Sequence, residues 1–532
     1  MRSATFGLAL GLGFGLGHTL PAVAQTAIPV GAAPLSVIDW LDAPTPLIQQ
    51  IGPEKQAAFP PMNEPPVTNS GTAPQVTTSA LDGARPRDVG LVPSSVTGLP
   101  ADIWSGSDAR SLKRQITRLP DMRLPAGNAL LYTVLLAEAG PPRDGNTDQD
   151  TLTLARIEKL MMLGALDPAQ SLIEQAGTTV SPAHFDLWMR ISLLNGTEDA
   201  ACGALSRAPY LSSDIGVQIF CAARGGDWNT ASLTLGSAKA LGLGSAEKLE
   251  LLDRFLSPGL FEDAAPMQNP RKIDPLTFRL FESIGEPLPT GPLPRAYAVA
   301  DLRDIAGWKS QLEAAERLTR AGALPDNRLL GLYSDRKPAA SGGIWDRVSA
   351  LQKFEKALQA RDDAAVQRTL PVVWQAMQSA ELEVAFATLF SGALQNRKLT
   401  GAAADIRFEA GLLSPEYEAT AAKPPAFPTD RTRTDMLVAV AQGDVPKRRP
   451  SETLAAAVFD AFATPTPDEA LLRNARQGRL GASILQVLAQ LNEGAGGNAD
   501  TLTHALSNLR ALGLEDTARR AALQVVLLER SQ

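Results

Sequence analysis

Apolar residues recur along most of this chain at intervals of three and four. The clearest run is C-terminal, where Leu514, Ala518, Ala521, Val525 and Leu528 are spaced by four, three, four and three. That spacing lays one stripe along an α-helix. Leu502, Leu506, Leu509 and Gly513 repeat the pattern one helix earlier, and Leu154, Ile157 and Met161 repeat it far upstream. No segment alternates apolar and polar with period two, and no hairpin dipeptide separates two β-branched runs. The pattern predicts helices throughout and very little strand.

The joints between these helices also recur. Leu160 to Ala169 reads as a helix ending at Gly164 and another starting at Asp167-Pro168, because Gly suits the residue after a helix, Asp a cap and Pro a first turn. Leu241–Ala246, Phe408–Pro415, Leu512–Asp516 and, more loosely, Ala321–Asp326 have the same composition. Short helices on short turns make antiparallel neighbours. The expected fold class is therefore all-α, an irregular α-solenoid of stacked helical hairpins.

These joints, with small packing residues such as Ala231 after Gly226-Asp227-Trp228, resemble the tetratricopeptide and related helical-repeat families over roughly residues 107–258 and 300–530. The spacing is irregular and fits no register of about 34 residues. The resemblance implies stacked helical hairpins with a concave binding surface, and nothing more specific.

Residues 25–106 have a different texture. Thirteen of the 40 prolines fall between Pro29 and Pro100, and Thr, Ser, Gly and Asn fill much of the rest. Such a segment forms no helix interior and reads as an extended, flexible arm. One island, Pro34–Asp42, stands out: Leu35, Ile38 and Leu41 are spaced i, i+3, i+6, with Val37 and Trp40 beside them and Ser36 placed to cap. It reads as a short helical docking motif, with Leu35, Ile38, Trp40 and Leu41 as binding residues, whether for a partner or for its own chain. Beyond the arm the expected organisation is helical blocks at 107–258, 300–421 and 451–532. Pro-rich connections at 259–299 and 422–450 separate them.

The first 24 residues read as a signal peptide. Arg2 is a short positive region, Phe6 to Leu16 an apolar stretch and Ala22-Val23-Ala24 a cleavage site, so Gln25 starts the mature chain. The apolar stretch is too short and Gly-rich to cross a bilayer core of about 30 Å, and no later segment reaches about 18 apolar residues. The expected location is the bacterial periplasm or the exterior, with no integral span after signal removal.

Composition narrows the function. With 532 residues, 44% of them hydrophobic, 20% charged and only 5% aromatic, the chain builds its core from Ala, Leu, Val and Ile. A net charge of −7 with no long basic run argues against nucleic acid, and Lys447-Arg448-Arg449 reads as a solvated turn. The two cysteines, Cys202 and Cys221, are too few for a zinc ribbon. They fall at similar heights on two helices of one expected hairpin, which in an oxidising compartment suits a disulfide; the alternative is two buried thiols packing as small hydrophobes.

Catalytic signals are weak. His184 follows Ser181-Pro182 and is expected exposed in a first turn, His504 lies off its apolar stripe, and no Gly-x-Ser-x-Gly accompanies either. Ser245/Lys248 and Ser334/Lys337 have the Ser-x-x-Lys spacing without the other elements of penicillin-recognising enzymes. Asp144–Asp150 is spaced like a calcium loop but has Gln149 where Gly is required and Ala155 where Glu is required. Phe281-Glu282-Ser283 is similar to the Glu-Ser pair of soluble lytic transglycosylases, but no Gly-Leu-Met-Gln follows. No catalytic residue, metal or cofactor is assigned. The expected function is a non-enzymatic exported scaffold for a protein or cell-wall partner. The alternative is an envelope enzyme, related to peptidoglycan cleavage, whose site the sequence hides.

Overall fold

A computed structural model describes residues 89–143, 150–303 and 305–528. All of them belong to the unit Ser79–Gln532, which is distinct from Met1–Thr78. The signal peptide, the arm up to residue 88, the island with Leu35, Ile38, Trp40 and Leu41, and Asp144 to Gln149 lie outside the described residues.

The described chain is all-α. Helices run from Ser94–Thr97 to Glu515–Leu527. Among the described residues the only β-type pairings are two isolated bridges, Val89 with Ala139 and Val92 with Ala137. Side-chain caps start many of the helices: Asp108, Ser181, Asp214, Asp227, Ser245, Asp274, Asp362, Asp430, Asp468 and Asn498 each accept a backbone N–H of the first turn. Gly196, Gly242 and Gly443 close helices in the left-handed conformation that side chains rarely adopt.

Two joints differ from the sequence expectation. The helix after Gly164 begins at Leu166, so Asp167 and Pro168 sit inside its first turn rather than opening it. There Pro loses no bond, because first-turn N–H groups have no intrahelical acceptor. Gly411 does not end a helix: Gly401–Leu413 runs through it. A Cβ there would lie 2.6 Å from the Thr420 side chain, so this glycine permits a close crossing.

The boundaries of the arm and the connections also shift. The arm was expected to reach residue 106, but the packed body begins by Val89, and Leu99, Ile103 and Trp104 are buried. Proline bars a helix interior, not apolar packing. Nor is 259–299 a plain connection. Asp274 caps the helix Pro275–Ser283, Pro275 takes its first position, and Leu276, Phe278, Leu280 and Phe281 are buried. The stretch 422–450 likewise carries the helix Arg431–Gln442.

Sequence neighbours pack together, as in Ile344–Gln359 with Asp363–Ser379 and Leu480–Gly494 with Ala499–Ala511. A solenoid repeat would touch its neighbours only. Here the beginning of the described chain also meets its end. Ala109–Arg118 and Pro125–Leu136 both pack on Leu480–Gly494, and Pro125–Leu136 packs on Glu515–Leu527. Gly106 N–H donates to Gly478 O and Gly481 N–H to Ile103 O, both at 2.9 Å. The core follows this closure rather than sequence order. One apolar cluster joins residues 99–300 to 408–526, and a second occupies 298–413.

Candidate functional site

Closure leaves a cavity of about 1120 Å³ between segments far apart in sequence. The stretch Asp121–Pro125 walls it at the beginning of the body, and Ala495–Gly497 and Gln524–Val526 wall it at the end. Ala126 N–H donates to the buried Gln524 Oε1 at 2.8 Å, and Arg123 N–H to Asn492 Oδ1 at 2.7 Å. Both bonds hold these walls together.

Among the described residues five arginines line the cavity: Arg123, Arg295, Arg317, Arg320 and Arg433. Arg295 donates through both terminal nitrogens to the Asp121 carboxylate, at 3.0 and 2.7 Å. Arg317 and Arg320 are one turn apart in the last turn of Trp308–Arg320. Arg317 donates to the carbonyls of Thr290 and Leu293, and Arg320 to that of Ala380 at 3.0 Å. Carbonyl oxygens orient a guanidinium without neutralising it. Arg433 donates to Val526 O and lies 3.7 Å from Glu409. The carboxylates Asp121, Glu381, Glu383 and Glu452 line the same space.

The wall around Arg295 is electrostatically tight. Burial, and then the like charges of Arg295 and Arg320, hold the Arg317 guanidinium below its ordinary pKa. Burial lowers Lys159 too, with Asp121 opposing and Arg295 reinforcing; its ammonium donates to Leu119 O. Tyr132 is pushed well above the usual phenol range, chiefly by burial, and its hydroxyl donates to Ala321 O at 3.2 Å.

The Asp301, Asp326 and Glu409 carboxyls are raised above their ordinary range, each mainly by burial. They sit on different helices, and none lines the cavity. Glu409 comes nearest, beside Arg433. An acid–base pair needs one protonated and one ionised carboxyl facing one space, and these three raised groups do not face the cavity.

The residues singled out in the sequence lie elsewhere. Cys202, on Glu198–Arg207, and Cys221, on Ile215–Arg224, are both buried, with Cα atoms 4.8 Å apart and sulfurs at disulfide distance. His184 is fully buried, contrary to the exposed position expected. Its Nδ1 lies 2.8 Å from Ser181 Oγ, the capping hydroxyl three residues back, and its Nε2 lies 3.9 Å from Asp150 Oδ2 at the start of a neighbouring helix. The order Ser–His–Asp is present, but the hydroxyl caps its own helix and the imidazole has no surface open to substrate. The arrangement therefore fixes two helix starts. His504 is exposed, 2.9 Å from Thr466 O through Nδ1.

Glu282 is part of an ionic cluster, accepting from Arg279 and Arg303. Fully buried Glu198 joins the same cluster through Arg279, at 3.1 Å. Ser245 caps a helix, while the Lys248 ammonium turns to Asp214 and Asp274, so this Ser-x-x-Lys pair is spent on structure. Ser334 donates to Glu355. Among the described residues no group of three or more His, Cys, Asp or Glu side chains could hold a metal ion, and no helix is long and apolar enough to cross a membrane.

The cavity arginines were not picked out from sequence. Only Arg317 and Arg320 carry a local signal, two cations on one face of a last turn; the others come from segments up to 310 residues apart and meet only through closure. The chain matches no family model, no curated protein and no solved structure, and its site is read from geometry alone.

Proposed function

We propose that this protein is an exported, non-enzymatic helical scaffold that binds a component of the cell envelope, and that the cavity is its binding site. The observation that carries the reading is the lining: a space of about 1120 Å³ walled, among the described residues, by five arginines drawn from distant segments. A typical small-molecule pocket is about 300–1,000 Å³, so this one suits an extended ligand such as a glycan–peptide fragment. Export is supported by the signal-like opening and by the buried cysteine pair, since disulfides persist in oxidising compartments.

The test uses the purified full mature chain with intact sacculi and with soluble muropeptides. Cosedimentation with sacculi, or a saturable calorimetric response to muropeptides, with no new fragments by mass spectrometry, is the expected result. Release of fragments would replace the scaffold reading with the enzymatic one. No retention and no response would end the envelope-ligand reading.

A further inference from the structure

We propose that the corner of the cavity walled by Arg295, Arg317 and Arg320 is an anion subsite that takes a carboxylate or phosphate group of the ligand. The inference rests on the reading of the cavity as the binding site and specifies the chemistry it recognises.

Three observations converge on this corner. First, three guanidinium groups share one wall, two of them a single helical turn apart. Second, ion pairing is incomplete. Among the described residues Asp121 is the carboxylate that forms an ion pair with one of the three, and it is committed to Arg295, while Glu381, Glu383 and Glu452 also line the cavity. Arg317 and Arg320 donate only to backbone carbonyls and form no ion pair among the described residues. Third, the groups are held before any ligand arrives. The carbonyls of Thr290, Leu293 and Ala380 come from two separate stretches of chain: the first two hold the Arg317 guanidinium at both terminal nitrogens, and the third anchors Arg320 at one. A pre-oriented guanidinium presents paired N–H donors that match the two oxygens of a carboxylate or phosphate. Like charges held together in a partly dry wall are costly, and an anion between them removes that cost. Arg320 is exposed and Arg317 half-buried, and both line the cavity.

The experiment titrates the full mature chain by calorimetry with inorganic phosphate, citrate, neutral N-acetylglucosamine and soluble muropeptides. Wild type is compared with Arg320→Gln and with Arg317→Gln/Arg320→Gln. Phosphate or citrate is expected to bind saturably. Affinity should fall about tenfold or more in the double variant and by less in the single one, since charge-assisted contacts are the strong ones. The better of the two anions identifies the group recognised. N-acetylglucosamine should show no dependence on either substitution. Arg320→Gln removes one exposed side chain and keeps the test valid if the double variant misfolds. No saturable binding of either anion, or equal binding by folded variants, overturns the proposal. Muropeptides that bind wild type and Arg320→Gln equally leave the cavity reading standing and remove the subsite. Arginine-dependent phosphate or citrate binding without muropeptide binding keeps the subsite and removes the cell-wall ligand.

Discussion

Replacing Gly481 by alanine tests whether the meeting of the two chain ends is tightly packed. Gly481 is the second residue of Leu480–Gly494, where alanine would ordinarily favour the helix by about 1 kcal/mol. An added Cβ, however, would lie 2.3 and 2.4 Å from two ring carbons of Trp104 and 3.1 Å from Ile103 O. Trp104 is fully buried and cannot swing into solvent. Overpacking of this kind costs about 1–3 kcal/mol. Backing the helix away also weakens the Gly481 N–H to Ile103 O bond, worth about 1 kcal/mol. Taking the middle of the overpacking range, the net is a loss of about 2 kcal/mol. Gly236 provides the matched control, because it is exposed within Trp228–Leu241 and an added Cβ there meets nothing within 4 Å. Gly236→Ala should stabilise by up to about 1 kcal/mol. Urea denaturation followed by circular dichroism measures both variants, and hydrogen exchange of the Ile103–Gly106 amides reports the contact itself. The reasoning fails if Gly481→Ala is as stable as wild type or gains as much as Gly236→Ala.

Arg156 is fully buried and donates to Val89, Leu135 and Ala137 carbonyls at 2.7–2.8 Å, so Arg156→Met, which strands all three, should cost about 3 kcal/mol or more by chemical denaturation; a change under about 1 kcal/mol would show that these bonds are dispensable. Reducing the Cys202–Cys221 pair, 19 residues apart, should remove about 3 kcal/mol in the chain-entropy view, read as the shift in denaturation midpoint with and without reductant. An unchanged midpoint, or free labelling of both thiols in unreduced protein, contradicts it. Tyr132, Tyr297, Tyr333 and Tyr417 all titrate above the ordinary phenol value of 10.0, chiefly because burial disfavours the phenolate, with Tyr297 at about 12. The unfolded chain therefore loses these protons first, and stability present below pH 10 should fall as pH rises from about 10 through 12. Tyr210 is exposed and lies outside this set; phenolate absorbance near pH 10 amounting to more than one of the five tyrosines, without loss of helical signal, would refute this.

What the sequence determined by itself is local. The three-and-four spacing of Leu514 to Leu528 places one face of Glu515–Leu527 inward, because helix periodicity depends only on near neighbours. Ser245 announces a helix start, since a cap needs one side chain and the next two or three amides. The cysteines could be matched because a hairpin brings nearby residues together. Where two sequence explanations compete, the tertiary structure decides. Gly411 could be a stop or a crossing, and only Thr420 against it shows which. His184 could face water or the core, and the helix beginning at Asp150 covers it. Pro-rich 259–299 looked like a connection, yet buries Phe278 and Phe281 because proline at a first turn costs a helix nothing. The cavity belongs wholly to the tertiary level. Asp121, Arg295, Arg320 and Gln524 share it because Pro125–Leu136 packs on Glu515–Leu527, a contact across almost 400 residues. Closing so long a loop is decided by complementary surfaces at its two ends, and no spacing within either segment encodes which surface the other will present.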